Sequence, residues 1–302
     1  MLVGALLAAG GAMLFAAKGI LAKSLYAEGV GYELLVTVRA LIALPLFWAF
    51  AIWREGLDVI RKTSPRAIGI AALAGFVCYY IGALTDFYAL TMIDASIERV
   101  LMFSYPALVV LFASVLTRSW PKPIALIGAL VTYVGIFLAV GGLDAAALRA
   151  NLLGASLVMF SAVTYAAYFL IGERYTREIG SARFTLFAMT AAAVALAVHS
   201  GLRHELSAVT ALSAQSWLEL TVLGVACMFF PALMQSEGMR RIGAQRGSVV
   251  STMGPPTTIL LAWAFLGERL SFTQVCGVLL IVGSVLALEL ARLPPAQKPA
   301  QA

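Results

Sequence analysis

Five ionisable side chains stand inside stretches that are otherwise apolar, and these are the residues best suited to chemistry. They are Lys18, Arg39, Asp86, Glu98 and Arg99. A charge at the centre of a membrane helix costs about 2.5 to 3.5 kcal/mol even on the lowest scale, so such groups must pair or face water. We expect Asp86 and Arg99 to form an ion pair. The alternatives are an outer gate, or a site for the carboxylate and ammonium groups of a small molecule.

The composition predicts an integral membrane protein that is all-α. Of the 302 residues, 62% are hydrophobic and 12% are charged, and the mean hydropathy is +0.94. A water-soluble core of ordinary proportions could not bury so much apolar surface. The net charge of +6 does not indicate nucleic acid, because the basic residues form no patch with interleaved aromatic residues. Cys78, Cys227 and Cys276 lie in apolar segments and are interpreted as small core residues.

Ten apolar segments are long enough to cross about 30 Å of hydrocarbon. They lie near residues 3–25, 32–53, 66–90, 95–117, 122–141, 151–173, 182–200, 214–239, 244–266 and 271–291. With both termini in the cytoplasm, the cytoplasmic loops hold fourteen Lys and Arg residues and the outer loops hold four. Cytoplasmic loops normally carry this excess, so the count predicts that orientation.

The chain contains an internal repeat. A shift of 149 residues places Gly75–Val140 on Gly224–Glu289 without a gap, and twelve positions are then identical. We therefore predict two five-helix units, residues 1–146 and 147–293, followed by a disordered cytoplasmic tail, 294–302. An odd number of helices per unit inverts the second copy in the membrane. Inverted repeats are typical of alternating-access carriers; the alternative is a duplicated scaffold with no transport role.

The repeat also matches two prolines within apolar segments. Pro106 and Pro255 occupy equivalent positions, and Gly254 and Pro256 flank the second of them. A proline lacks an N–H group and clashes with the carbonyl four residues before it, which kinks a helix. We expect both prolines to act as hinges. The alternative is that they are simply tolerated, as prolines often are in membrane helices.

Several helix faces carry aromatic or hydroxyl side chains that point to a central cavity. On the fourth segment Arg99, Met102 and Phe103 share a face with Pro106 at helical spacing. Rings with a polar end suit a planar apolar substrate that bears a few polar groups. The alternative is interhelical packing with tyrosine hydroxyls bonded to backbone carbonyls. The predicted lining is Tyr79, Met102, Phe103, Tyr165, Tyr168 and Ser251.

Four short motifs resemble a known family. The motifs are Phe15 with Lys23, Arg39, the Tyr-Ala-Ala-Tyr stretch 165–168, and the Gly-Glu-Arg stretch 267–269. These motifs are spread along the chain, and nearly the whole chain is similar to the EamA-type members of the drug/metabolite transporter superfamily. The first half departs from the last motif, with Leu-Thr-Arg at 116–118. Within the superfamily the chain resembles bacterial exporters of aromatic amino acids, which implies export across the bacterial inner membrane.

The residues argue against an enzyme and predict no cofactor and no metal. The sequence has no phosphate-binding Gly loop and no metal-spaced His/Cys cluster, and its two histidines, His199 and His204, lie at an outer loop. We expect a monomeric exporter of amino acids, aromatic or neutral, or of similar small metabolites, with the lipid bilayer as its surroundings and no nucleic acid as partner. The same-fold alternative is a nucleotide-sugar or sugar-phosphate carrier. Asp86 and Glu98 are candidates to carry a proton, and facilitated diffusion fits equally well.

Overall fold

The computed structural model describes residues 2–56, 58, 61, 63–116, 123–139, 144–235 and 254–292, and within these ranges every regular element is helical. The predicted all-α class is confirmed. Five stretches are long and apolar enough to cross a membrane: Tyr32–Glu55, Pro65–Ala89, Ala145–Thr176, Ser181–Leu202 and Ala214–Gln235. The other predicted segments are represented by shorter helices, so the count of ten spans stays a prediction. The proposed tail, 294–302, lies outside the described residues.

The described residues of the first repeat form eight α-helices. They are α1 Leu2–Ala16, α2 Lys18–Ala27, α3 Tyr32–Glu55, α4 Pro65–Gly75, α5 Ala83–Ala89, α6 Ala95–Met102, α7 Tyr105–Leu116 and α8 Pro123–Ala139. A π-helical stretch, Phe76–Gly82, joins α4 to α5.

The second repeat is described in five α-helices. They are α9 Ala145–Ile179, α10 Ser181–Leu202, α11 Ala214–Gly224, α12 Gly254–Leu266 and α13 Phe272–Arg292. A short 3₁₀ helix, Glu205–Ala211, precedes α11, and a π-helical stretch, Val225–Phe229, follows it.

Side-chain caps mark where several helices begin. Ser64 accepts a hydrogen bond from the backbone N–H of Ala67 at 3.3 Å, and Pro65 is the first residue of α4. Ser213 accepts one from the N–H of Ser216 at the start of α11. These residues satisfy N–H groups that have no partner in the first helical turn, so each helix begins where a polar loop meets an apolar run.

Glycine contacts reveal the relation between the two repeats. A side chain at Gly75 would collide with the backbone carbonyl of Ala188, and one at Gly224 would lie 2.8 Å from the carbonyl oxygen of Arg39. The 149-residue shift turns the first contact into the second. Such an exchange is what a two-fold relation between repeats produces, since α4 packs on α10 as α11 packs on α3.

The 149-residue shift also relates the contacts between helices α8 and α13. The hydroxyl oxygens of Thr132 and Ser284 lie 2.7 Å apart. The shift maps this pair onto Ile281 and Gly135, where a Cβ on the glycine would lie 2.7 Å from the isoleucine side chain. The last helices of both repeats therefore meet each other across the same approximate two-fold axis.

The two π-helical stretches begin at equivalent positions, Phe76 and Val225. Each follows one of the paired glycines, Gly75 and Gly224. In a π-helical stretch the backbone hydrogen bonds join residues that are five apart in sequence, where an α-helix joins residues that are four apart. Such stretches are often found at functional sites. Here they occur in the third span of each repeat, next to the centre of the molecule.

Pro106 stands at a helix start, which corrects the mid-helix kink expected there. The chain leaves the helical conformation at Phe103 and Ser104, and Pro106 is the second residue of α7. Pro255 is the second described residue of α12, and residues 236–253 before it lie outside the described ranges. The missing N–H of a proline has no helical partner to lose in the first turn, so the interruption precedes the proline. A hinge at these positions stays a prediction.

A further interruption, at Ala17, was not predicted. It separates α1 from α2 and places Lys18 at the start of α2. The hydroxyl of Thr258, on α12, donates a hydrogen bond of 3.1 Å to the carbonyl oxygen of Ala16. A backbone acceptor at the break therefore has a partner from the second repeat.

Candidate functional site

A cavity lies at the centre of the bundle, and helices of both repeats line it. Its wall consists of Ala12, Phe15, Lys18, Arg39, Cys78, Tyr79, Ala83, Asp86, Phe87, Arg99, Met102, Phe103, Tyr105, Ser161, Tyr165, Met228 and Gln235. The space open to the centres of water molecules is about 70 Å³. A single water needs roughly 10 to 15 Å³ on this measure, so the cavity is large enough for several.

The cavity sits where the two repeats face each other. The 149-residue shift carries Tyr79 onto Met228 and Asp86 onto Gln235, and all four residues line the wall. The first and sixth spans match at a shift of 150, which carries Phe15 onto Tyr165, and both of these also line it. A cavity built from equivalent positions lies on the two-fold axis, the usual place for a carrier's substrate site.

The ammonium group of Lys18 bridges two buried carboxylates. Its Nζ lies 2.5 Å from Asp86 Oδ2 and 3.1 Å from Glu98 Oε1. The rings of Phe15 and Phe87 also face this ammonium, at 5.6 and 5.1 Å. The expected pairing of Asp86 with Arg99 is therefore wrong. Lys18 is the first residue of α2, directly after the break at Ala17, and its ammonium contacts the carboxylates of α5 and α6 instead.

Two arginines in the cavity wall have different surroundings. Arg39 and Arg99 are 5% and 8% exposed, and neither forms an ion pair with a residue of the described ranges. The Cζ of Arg39 lies 4.1 Å from the centre of the Phe87 ring, and that of Arg99 lies 4.8 Å from the centre of the Phe15 ring. The Nε atoms of both are buried without a hydrogen-bond partner.

Aromatic rings form another part of the cavity wall. Tyr105 and Tyr165 meet edge to face with centres 4.9 Å apart, and Phe169 packs against both at 5.2 and 4.9 Å. The Tyr79 ring meets Tyr168 edge to face at 5.0 Å. Edge-to-face pairs of this kind stabilise an ordered cluster. The wall therefore has a charged part and an aromatic part.

A close approach between two helices positions the aromatic wall. The hydroxyl of Ser161, on α9, donates a hydrogen bond of 2.8 Å to the carbonyl of Gly82, the last residue of the first π-helical stretch. A side chain at Gly82 would collide with Thr164. Because the two backbones come this close, Tyr79 and Tyr165 reach the same cavity.

A carboxylate from the second repeat holds the start of α6. Glu268 accepts hydrogen bonds from the N–H of Ala95 at 2.8 Å, the N–H of Ser96 at 3.0 Å and the hydroxyl of Ser96 at 2.7 Å. Burial, together with the nearby Glu268 charge, raises the pKa of Asp94 just before this helix. Two carboxylates therefore share this end of the bundle, and one of them caps α6.

The predicted cavity residues fall into three groups. Tyr79, Met102, Phe103 and Tyr165 are in the wall. Tyr168 lies behind Tyr79, where it also contacts Phe184 at 5.3 Å. Ser251 lies outside the described residues. Of the five charged residues, Lys18, Arg39, Asp86 and Arg99 line the wall, and Glu98 joins the cluster through Lys18.

Sequence reasoning missed several wall residues, among them Tyr105, Cys78 and Met228. The repeat is the signal that could have identified Met228, because the 149-residue shift places it on Tyr79. Cys78 was interpreted only as a small core residue, and it is buried while bordering the cavity. Tyr105 immediately precedes Pro106, and its inward direction depends on the helix break at Phe103 and Ser104.

A family model matches residues 2–141 and 152–289, one match for each repeat, and it describes the EamA-like transporter family. The chain belongs to the EamA-like transporter family. The two matched ranges correspond to the two structural repeats, so this protein has the two-repeat architecture of a multi-pass membrane transporter of the EamA-like family.

Relatives of known sequence agree with this assignment. The chain is 33% identical to "Uncharacterized transporter YcbK" of Bacillus subtilis over 273 residues, which cover 88% of this chain and 86% of that protein. It is 24% identical to "Uncharacterized transporter sll1319" of Synechocystis, over 87% of this chain and 80% of the relative. A solved crystal structure has the same fold, with a TM-score of 0.64, 21% identity and coverage of 95% and 96% of the two chains.

Proposed function

We propose that this EamA-like transporter exports amino acids, aromatic or neutral, or metabolites of similar size, across a bacterial inner membrane by alternating access. The observation that carries the proposal is the central cavity, whose lining combines charged and aromatic side chains. Ligand sites of small molecules typically combine apolar surface with a few well-placed polar groups. An amino acid with a ring presents the matching groups.

The position of the cavity supports the alternating-access part of the proposal. Residue pairs related by the repeat line it together, as Tyr79 and Met228 do. In inverted-repeat carriers the two repeats exchange conformations around a site at their interface. A cavity at this interface can open to one side and then to the other with little change in its own wall.

The charge distribution disfavours a sugar-phosphate carrier. Phosphate groups call for basic side chains, and in this wall Lys18, Arg39 and Arg99 all come from the first repeat. From the second repeat the wall includes the uncharged polar residues Ser161, Tyr165 and Gln235. Among the described residues, the charged side chains of the wall come from the first repeat, and this arrangement suits a substrate with one charged end and one apolar end.

Counterflow in reconstituted vesicles tests the proposal. Vesicles that contain the protein are loaded with unlabelled phenylalanine and diluted into labelled phenylalanine, with and without a pH gradient. We expect the vesicles to take up labelled phenylalanine, and we expect unlabelled aromatic amino acids to reduce this uptake by competition. A pH gradient should change the uptake only if transport is coupled to protons. Tyr165→Ala should lower the rate at normal expression, while the lipid-facing Phe265→Ala should not. No counterflow with any amino acid would contradict the proposal.

The orientation is tested separately by cysteine labelling in whole cells. We propose that Asp94 and Arg149 face the outside and that Arg66 faces the cytoplasm, because the loop charges favour cytoplasmic termini. Cysteines at positions 94 and 149 should react with a membrane-impermeant reagent, and a cysteine at position 66 should react only after permeabilisation. Labelling of positions 94 and 66 from the same side would contradict this orientation.

A further inference from the structure

The two arginines of the cavity wall are the buried charges that the ion-pair network leaves uncompensated. The carboxylates nearest to them, Asp86 and Glu98, both contact the ammonium of Lys18. Arg39 and Arg99 form no ion pair with any residue in the described part of the chain. Both are more than nine-tenths buried and face the cavity. Their guanidinium groups are available to something that enters it.

The charge balance of the cluster favours an anion. Among the described residues of the cluster, three cationic side chains, Lys18, Arg39 and Arg99, accompany two carboxylates, Asp86 and Glu98, which leaves one positive charge in excess. An uncompensated charge in apolar surroundings is costly, and an ion of opposite charge lowers that cost. A ligand with a single negative charge brings the cluster to neutrality.

The packing of the two arginines favours a carboxylate in particular. Each guanidinium lies on an aromatic ring, Arg39 on Phe87 and Arg99 on Phe15. An arginine held on a ring keeps the N–H groups along its edge available for paired hydrogen bonds to a planar oxyanion. The partnerless Nε atoms show that such donors remain unused.

The place where a substrate ammonium would bind is already filled. Two carboxylates and two aromatic rings surround the Nζ of Lys18, and this is the set of groups that recognises an ammonium ion. The second oxygen of each carboxylate, Asp86 Oδ1 and Glu98 Oε2, has no hydrogen-bond partner but is fully buried, so a substrate ammonium would have to displace Lys18 to reach the two carboxylates. The amine of an amino acid therefore contributes little to recognition.

We propose that the cavity selects organic monocarboxylates with an apolar or aromatic body, that Arg39 and Arg99 bind the carboxylate, and that an α-amino group is not required. The proposal rests on the proposed transport function and narrows its substrate class. Deaminated or N-acylated relatives of the amino acids bind at least as well as the amino acids themselves.

The first test compares four ligands with one ring and different end groups on the purified wild-type protein. They are 3-phenylpropionate, phenylalanine, phenethylamine and 3-phenylpropionamide, and the readout is ligand-induced thermal stabilisation. We expect both acids to stabilise the protein, with the propionate at least as potent as phenylalanine. The amine and the amide should need at least tenfold higher concentrations. Binding of the amine or amide at the concentrations of the acids would overturn the proposal.

A second set of measurements uses variants and separates a carboxylate site from a simple halide site. Arg99→Gln should weaken the binding of 3-phenylpropionate at least tenfold and leave the binding of 3-phenylpropionamide unchanged. Arg99→Lys should weaken the binding of 3-phenylpropionate less than Arg99→Gln does. Arg149→Gln, at an exposed arginine, is the matched control. All samples are compared in chloride and in gluconate. If chloride alone stabilises the protein and the acids add nothing, the assignment to substrate carboxylates is wrong.

Transport measurements distinguish failure of this proposal from failure of the proposed function. If phenylalanine is transported but 3-phenylpropionate neither binds nor competes, amino-acid export stands and the carboxylate proposal fails. If the acids bind through the arginines but none of the four compounds is transported, the binding proposal stands and the transport of amino acids fails. The wild-type ligand comparison keeps the proposal testable if an arginine variant does not fold.

Discussion

Gly75 lies so close to Ala188 that any side chain at position 75 would collide with the alanine backbone. The repeat-equivalent residue, Gly224, meets the backbone of Arg39 in the same way. Helix α4 thus approaches α10 at a distance that only glycine permits, and α11 approaches α3 likewise. These two contacts hold the repeats together next to the cavity.

Replacing Gly75 by alanine should destabilise the protein by about 1 to 3 kcal/mol, because an added carbon in a tightly packed place forces the helices apart. Gly69 lies on the same helix with open space around it. Gly69→Ala should be neutral or stabilising by about 0.5 to 1 kcal/mol, since alanine favours a helix over glycine. Thermal unfolding in detergent compares the two. Equal melting temperatures for both variants would contradict the close packing.

Removal of the Lys18 ammonium should be strongly destabilising. Lys18→Met leaves Asp86 and Glu98 buried without their shared cation, and breaking a buried ion pair on one side typically costs about 3 to 5 kcal/mol. The double variant Lys18→Met with Glu98→Gln removes one orphaned carboxylate, keeps the net charge of the cluster at its original value and should recover part of the loss. Lys23→Met on the same helix serves as the control. A double variant as unstable as Lys18→Met would show that the lysine acts by packing and not by charge.

Loss of the Glu268 carboxylate should loosen the start of α6. Glu268→Ala removes an acceptor of three hydrogen bonds. A typical hydrogen bond contributes about 0.5 to 1.5 kcal/mol to stability, and one to a charged group contributes about 1.5 to 3 kcal/mol. A cysteine at the buried position of Ile97 should then react faster with a thiol reagent. Glu178→Ala, at an exposed glutamate, should not change that rate. Unchanged reactivity in Glu268→Ala would mean that α6 is held by its other contacts.

Pro106, at the start of α7, and its repeat equivalent Pro255, on α12, are expected to permit a change of helix direction. Pro106→Ala allows a helical hydrogen bond across the break at Phe103 and Ser104, so α6 and α7 should join into a stiffer helix. Transport should slow more than substrate affinity falls, because hinges absorb the backbone change between states. Pro255→Ala should be milder, since Gly254 and Pro256 still weaken that helix. Wild-type transport rates in both variants would make the prolines packing features only.

The sequence by itself determined the helical class, the two repeats and much of the cavity wall. Helical periodicity and the 149-residue repeat depend only on the order of residues along the chain. The sequence therefore identifies Tyr79, Met102, Phe103 and Tyr165 as lining residues without any knowledge of helix packing. The shift also predicts the exchange of contacts seen at Gly75 and Gly224, because two copies of one unit pack by one rule.

Only the tertiary structure decided which charges pair. Lys18 and Asp86 are 68 residues apart on different helices, and their contact depends on the rotation of each helix about its own axis. That rotation is set by how each helix packs against its neighbours, as where Gly82 approaches α9. Residue spacing along one helix carries no information on such packing. The pairing of Lys18, and with it the two uncompensated arginines, therefore emerged only from the folded chain.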